Sequence, residues 1–377
     1  MPPPNTSPQF PQGIATEDAF CNREKERELL KKSIERHEHL VLTAPRRYGK
    51  TSLIMQVLHE NTFPGTRIDF FFSTSQSDVL KAISEGVSAL MNDLLPEGQA
   101  TRSKIINQLI TLNPKLTFQF LGQKLELSSK QSSEKNLTEL LLTLDQCAQE
   151  TKKTCVMVLD EFQQIGELKE NHSIEAAIRH AVERSQYVTY IFCGSARHLL
   201  NKMFSDKSRP LYHLCDLITL DRIETPSYQT FLNHLAKKNW GKKLPEDCFL
   251  EIMHLTENHP YYVNTLCRKL WHNDTLPDLS TIRKTWHDYV TQQASWIVSD
   301  FSKLTLNRRK LLIALAKQPS CEPQSHAFSM EVNSSPSVIQ KSLADLIQLD
   351  LVYKRTDGYY VLLNPAMSYF LSMELAA

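Results

Sequence analysis

The run Cys155–Leu159, followed by Asp160, Glu161 and Phe162, constrains the fold of this 377-residue chain more than any other stretch. Five consecutive apolar residues do not suit a sheet with one wet face, where apolar and polar side chains alternate. They suit a strand buried on both faces, the habit of parallel sheets. Val188–Cys193 reads as a second such strand, and His39–Leu42, Ile68–Phe72 and Ile218–Leu220 as shorter ones. Between them the apolar residues fall at helical spacing: Leu29, Leu30 and Ile34; Leu53, Ile54, Val57 and Leu58; then stretches over Val79–Leu94, Leu137–Thr151 and Ile174–Val182. Strands alternating with helices predict a doubly wound α/β domain.

The loop after the first strand, Ala44-Pro45-Arg46-Arg47-Tyr48-Gly49-Lys50-Thr51 with Ser52 next, has the spacing of a phosphate-binding P-loop (Walker A), except that Ala44 stands at the first glycine position. Gly49 lets the backbone turn its amides toward phosphates, Lys50 neutralises the β and γ oxygens, and Thr51 offers a hydroxyl to magnesium. The helix that starts there points its positive end at the same anion. Ala44 is admissible only if its backbone stays in a region open to residues with a Cβ. At the end of Cys155–Leu159 (a Walker B pattern), Asp160 is placed to hold Mg2+ and Glu161 to polarise the water that attacks a γ-phosphate. Either motif alone reads equally as a strand running into a turn. Both, in this order in one α/β domain, imply binding and hydrolysis of ATP.

Bulk properties narrow the rest. Hydrophobic residues make up 41% and charged residues 23% of the chain, and 43 basic against 42 acidic residues leave a net charge of +1, so no global field attracts nucleic acid. The eight cysteines are scattered without a Cys-x-x-Cys pair or a His at zinc spacing, which predicts reduced, mostly buried thiols. The start, MPPPNTSPQFPQG, has no basic or apolar run, and no later segment has the roughly 20 apolar residues of a membrane span. The expectation is a cytoplasmic protein with a short disordered leader and no membrane contact.

Two segments depart from the α/β rhythm. Leu116–Leu127 alternates around Gly122 and reads as a hairpin inserted in the core, at about 115–127. After Leu220 the pattern is helical from Tyr228 to about Trp271, then charged and punctuated by proline. From Leu304 on, helices near Asn307–Ala316 and Ser337–Leu349 precede two short strands around Thr356-Asp357-Gly358, the outline of a winged helix.

With these residues in view, the chain resembles the archaeal-ATPase-like branch of the AAA+ and STAND P-loop ATPases, including members with an attached winged helix. FCNREKE at Phe20–Glu26 is similar to the box that opens the family's domain, with Asn22 where glycine is usual, which implies Phe20 and Arg23 on the nucleotide side. On sequence alone the two read as readily as a hydrophobic staple and a surface charge at a helix start. The resemblance further implies that Ser195 senses the γ-phosphate and that Arg209, or else Arg197, is an arginine finger. It also implies that His259 and Pro260 of NHPYYV approach the nucleotide from a helical lid, again with Asn258 in place of glycine. Pro260 also reads simply as a residue of a helix's first turn.

These readings combine into a P-loop AAA+-like α/β core at 20–223 after a leader at 1–19, a helical lid at 224–299 and a C-terminal winged helix at 300–377. The activity expected is slow ATP hydrolysis with Mg2+ that sets a regulatory switch, with ATP and ADP as ligands, a protein client, and a nucleotide-dependent homo-oligomer. The rival is a DNA-binding ATPase of replication-initiator or transposition type that docks through Lys341, Lys354 and Arg355.

Overall fold

The computed structural model describes residues 9–112, 116–117, 126–127, 133–169, 171–355 and 357–373. Its strands are β1 (Leu40–Thr43), β2 (Gly65–Asp69), β3 (Leu116–Thr117), β4 (Glu126–Leu127), β5 (Cys155–Asp160), β6 (Val188–Gly194), β7 (Asp216–Thr219), β8 (Val352–Lys354) and β9 (Tyr360–Leu362). The described chain divides into two compact units, Arg23–Arg46 with Lys50–Asp221, and 9–22 with Arg47–Gly49 and 222–373.

The first unit holds a five-stranded sheet of order β2-β5-β6-β1-β7 in which every pairing is parallel. The two strands with the longest apolar runs, β5 and β6, are buried at every residue and lie inside the sheet, whereas the edge strands β2 and β7 are partly exposed. Burial on both faces is what their sequences require. Helices Gln76–Leu94, Ser133–Thr151 and Asn171–Val182 supply Val79, Ile83, Val87, Leu140, Leu144, Ile174 and Ile178 to an apolar cluster with β5 and β6. Ser75 and Asp78 form a reciprocal capping box at the first of these helices.

Two expectations need correction, and two helices add detail to the expected pattern. β2 begins and ends three residues earlier than the aromatic run suggests. Its register is set by Gly65 opposite Val156, which leaves Phe71 and Phe72 exposed beyond its end. A helix at Gln99–Leu112, whose apolar stripe is weak, went unread. The leader packs earlier than its composition predicts, because Phe10 is buried against Trp271 and Phe231 and Glu17–Ala19 form a helical turn. Finally, the charged stretch after Trp271 contains the 24-residue helix Leu279–Ser302, capped by Asp278 and buried along Ile282, Trp286, Tyr289, Val290 and Ile297. Its charges occupy the other face. In the inserted segment, β3 and β4 pair antiparallel, Leu116 opposite Leu127, and Gly122 lies outside the described residues.

The second unit is helical from Thr225–Trp240 through Glu246–Thr256, Pro260–Leu270 and Leu279–Ser302. Helices Leu306–Lys317, His326–Val332 and Pro336–Gln348, the antiparallel pair β8–β9, and Pro365–Met373 complete it as a winged helix. One apolar cluster runs from Phe10 through Leu232, Leu266 and Trp286 to Leu312, Leu346 and Leu371.

Candidate functional site

The carboxyl ends of β1, β5 and β6 lie side by side, with Thr43 opposite Gly194 and Leu159 opposite Phe192. Loops leave a parallel sheet at that end, and ligands bind there. The loop Ala44–Gly49 follows β1 and leads into the helix Lys50–Glu60. Gly49 has φ +85° with open space around its Cβ position, so glycine is needed for conformation and not for clearance. Ala44 is buried and does not adopt a left-handed φ, which is why alanine is tolerated at the first position. Lys50 is buried, and its Nζ donates to the carbonyls of Ala44 (2.8 Å) and Pro45 (3.3 Å), so the ammonium lies against the loop it starts from.

Thr51 Oγ1 donates to Asp160 Oδ2 over 3.4 Å. The same oxygen accepts from Arg67 Nε at 2.7 Å, while Arg67 also grips Asp69 at 2.7 Å. Asp160 Oδ1 accepts from Cys193 Sγ at 3.2 Å and from the Glu161 amide at 3.0 Å. Burial pushes the Asp160 carboxyl up, but the Arg67 and Cys193 hydrogen bonds and the Arg67 charge outweigh it and hold the group below the usual range. Burial, and after it the Asp160 charge, push the Cys193 thiol well up, so it donates as a neutral group. Glu161 turns the chain at φ +50°, and its Oε2 accepts from Ser195 Oγ at 2.9 Å and from the amide of Gln163. Arg46 Nε in turn reaches Ser195 Oγ at 3.3 Å. Thus Thr51, Asp160, Glu161, Ser195 and Arg46 form one polar cluster at the strand ends.

The remaining candidates are placed differently. Arg23, buried at φ +54°, donates to the carbonyl of Asp221 and pairs with Glu26, and Phe20 is half-buried. Asn22 and Asn258, which stand where the related pattern has glycine, have φ +50° and +58°, a region asparagine tolerates better than most residues. His259 caps the helix Pro260–Leu270 by accepting from the Tyr261 amide at 3.2 Å, and Pro260 is that helix's first residue. Burial first, then the Arg222 charge, hold the His259 imidazole well below its ordinary range, so it is neutral. Ser52 continues the phosphate-loop helix, and Arg197 opens the helix Arg197–Ser205. The guanidinium of Arg209, the expected finger, is paired with the fully buried Glu175 of its own chain.

Three residues at these sites were not read from sequence. Arg67 and Gln163 are described by the hydrogen bonds above. The third is Arg222. In the second unit its Nε donates to the Tyr48 hydroxyl at 3.3 Å, its NH1 to the Glu257 carboxylate at 2.6 Å, and its NH2 to the carbonyls of Leu362 and Leu363 at 3.3 and 3.4 Å. Its plane lies 5.1 Å from the centre of the Tyr353 ring. Tyr48 is packed edge-on against His259 at 4.7 Å, and Arg47 stacks over Tyr261 at 4.2 Å. A lone arginine after a strand carries no sequence signal for such a set of partners.

Residues 20–266 match the family described as the ATPase domain predominantly from Archaea, and 298–372 match the "Probable winged helix domain" family. The chain belongs to the archaeal-type ATPase family. It is therefore an ATP-binding ATPase with an α/β core and a C-terminal winged helix. Among solved structures its fold is similar to a Walker-type ATPase of Pyrococcus abyssi (17% identity, covering 96% of this chain and 99% of that one, TM-score 0.69). It is also similar to the ORC2 protein of Aeropyrum pernix in its ADPNP and ADP complexes (12% identity, 98% of each chain, TM-score 0.57). No curated protein sequence is similar enough to count as a match.

The residues fit the magnesium that ATPases of this class use. Mg2+ takes oxygen ligands, typically one or two from protein and the rest from phosphate and water, and a hydroxyl and a carboxylate are what Thr51 and Asp160 present. Among the described residues no helix is long and apolar enough to cross a membrane.

Proposed function

We propose that this ATPase hydrolyses ATP slowly with Mg2+ and uses the nucleotide state as a switch read by its winged helix. The convergence of Thr51, Asp160, Glu161 and Ser195 at the ends of adjacent strands carries the first half of the reading. Lys50 exchanges its two carbonyl partners for phosphate oxygens, a charge-assisted and therefore stronger contact. Thr51 and Asp160 hold the metal, which when bound neutralises charge on the phosphates. Glu161 accepts a proton from the attacking water, and Ser195, bonded to that carboxylate, senses whether a γ-phosphate is present. Arg46 is a second cation toward the phosphates, and Phe20 and Arg23 border the base.

Arg222 supports the second half. It joins Tyr48 of the phosphate loop to Glu257 of the helical segment and to the end of β9 in the winged helix. A shift of the loop on phosphate binding alters one arm of that set, and the guanidinium transmits it to the others. A protein client suits this face better than duplex DNA. Arg355 is paired with Asp357, Lys354 lies over the Tyr360 ring, and Arg308 is paired with Asp345 on the helix Pro336–Gln348.

The deciding measurement is a pair of variants. Lys50→Ala is expected to weaken ATP binding by about 100-fold or more, and Glu161→Gln to bind ATP normally while turnover falls by about 10²- to 10⁴-fold. Normal turnover in the glutamine variant removes Glu161 from the chemistry. Small-angle scattering of Glu161→Gln with ADP and with ATP tests the switch, and identical profiles refute it.

A further inference from the structure

Gln163 lies two residues beyond the acidic pair, outside the motif that defines the site. It is 2% exposed and opens the single helical turn Gln163–Gly166. Its Nε2 donates to Glu161 Oε2, the oxygen that also accepts from Ser195 Oγ at 2.9 Å and, more weakly, from Ser195 N at 3.4 Å. All three donors therefore meet one oxygen, and the other, Oε1, accepts from none of the described residues and is left to a ligand. The far end of the amide, Gln163 Oε1, is buried with no hydrogen-bond partner among the described residues. It occupies the space above the end of β6 that glycine leaves open, because a Cβ at Gly194 would fall 1.9 Å from this oxygen. Gly194 has no left-handed φ, so backbone conformation does not require glycine there. The amide does.

We propose that Gln163 is the positioning residue for Glu161: it pins Oε2 so that Oε1 faces the attacking water, and Gly194 is glycine to make room for it. This rests on Glu161 being the group that polarises water. A glutamate has three side-chain torsions, and without an anchor its carboxylate samples positions out of line with the γ-phosphate. An error of about 1 Å in such a group lowers the rate on the order of 100-fold without touching substrate affinity. Ser195 anchors from the neighbouring strand, and Gln163 fixes the second direction.

The test combines turnover, ATP affinity and the melting temperature of the ligand-free protein. Gln163→Ala should bind ATP within about 3-fold of wild type and lose about 10- to 100-fold in kcat. Gln163→Met, which keeps the volume without the donor, should lose the same rate with a wild-type melting temperature. In a Glu161→Gln background neither change should lower kcat further, since both act through the same carboxylate. Gly194→Ala should lower both melting temperature and kcat, and adding Gln163→Ala should recover the melting temperature but not kcat. Wild-type kcat in Gln163→Met, or additive losses with Glu161→Gln, overturns the proposal alone. Full turnover in Glu161→Gln overturns the parent reading and this proposal with it.

Discussion

Two arginine–carboxylate pairs in the α/β unit have the same chemistry and different surroundings. Arg209, in the turn after the helix Arg197–Ser205, and Glu175, on the helix Asn171–Val182, have side chains 13% and 0% exposed. Asp160 ends β5 and Arg67 is midway along β2; they are 5% and 34% exposed and share their atoms with Asp69, Thr51 and Cys193. A sealed pair has no other partner to offer its charges to, so it acts as structure. A pair open on the arginine side, with a hydroxyl already at the same carboxylate oxygen, can exchange one cation for another. Asp160 thus has a counter-charge already, and under the proposed function metal binding there must compete with it. On the wing, Arg355 and Asp357 form a third pair, 45% and 42% exposed, where water screens both partners.

Removing the arginine of each pair should separate the three settings. Arg209→Ala leaves Glu175 buried without its cation and should cost about 3–5 kcal/mol of stability, read as the denaturant midpoint of the ligand-free protein. A loss of hydrolysis with unchanged stability would instead restore Arg209 as a finger and break the comparison at its sealed end. Arg67→Ala should lower the Mg2+ concentration needed for half-maximal ATP binding by roughly 3- to 10-fold, about 1 kcal/mol, as a competing cation is removed. An unchanged Mg2+ titration would mean that the two cations do not share Asp160. Arg355→Ala should change stability by less than about 1 kcal/mol, as is usual for an exposed pair. A larger loss by thermal melting would show that the wing is packed more tightly than its exposure indicates.

The legible parts of this molecule are those where one residue's chemistry suffices. Buried strands announce themselves by unbroken apolar runs, and the phosphate loop by Gly49, Lys50 and Thr51 at fixed spacing. Asp160 and Glu161 follow from the end of a strand whose burial could be read first. What escaped depends on partners far away in sequence. Phe10 looked like part of a polar leader because its partners, Phe231 and Trp271, are more than two hundred positions on. Arg209 fitted a pattern of position, and only Glu175 shows that its charge is engaged. Arg67 alternates with Asp69 as any edge-strand pair would, and nothing local says that Asp160 is its other partner. The bounds of the helix Leu279–Ser302 were obscured because its polar face outnumbers its buried one, and those of β2 because aromatic residues continue past the point where pairing stops.

The single apolar cluster from Phe10 to Leu371 bears on how this gene can be cut. Two family matches, ending at 266 and beginning at 298, invite expression of the pieces as separate modules. Yet a fragment stopping near 298 exposes the sides of Leu266, Ile282 and Trp286 that share a core with Leu312 and Met367, and it deprives Arg222 of the Leu362 and Leu363 carbonyls. Inheritance as two modules and a helical core shared between them are compatible. A fusion point placed between the matches would join domains on paper and yield insoluble protein in the tube.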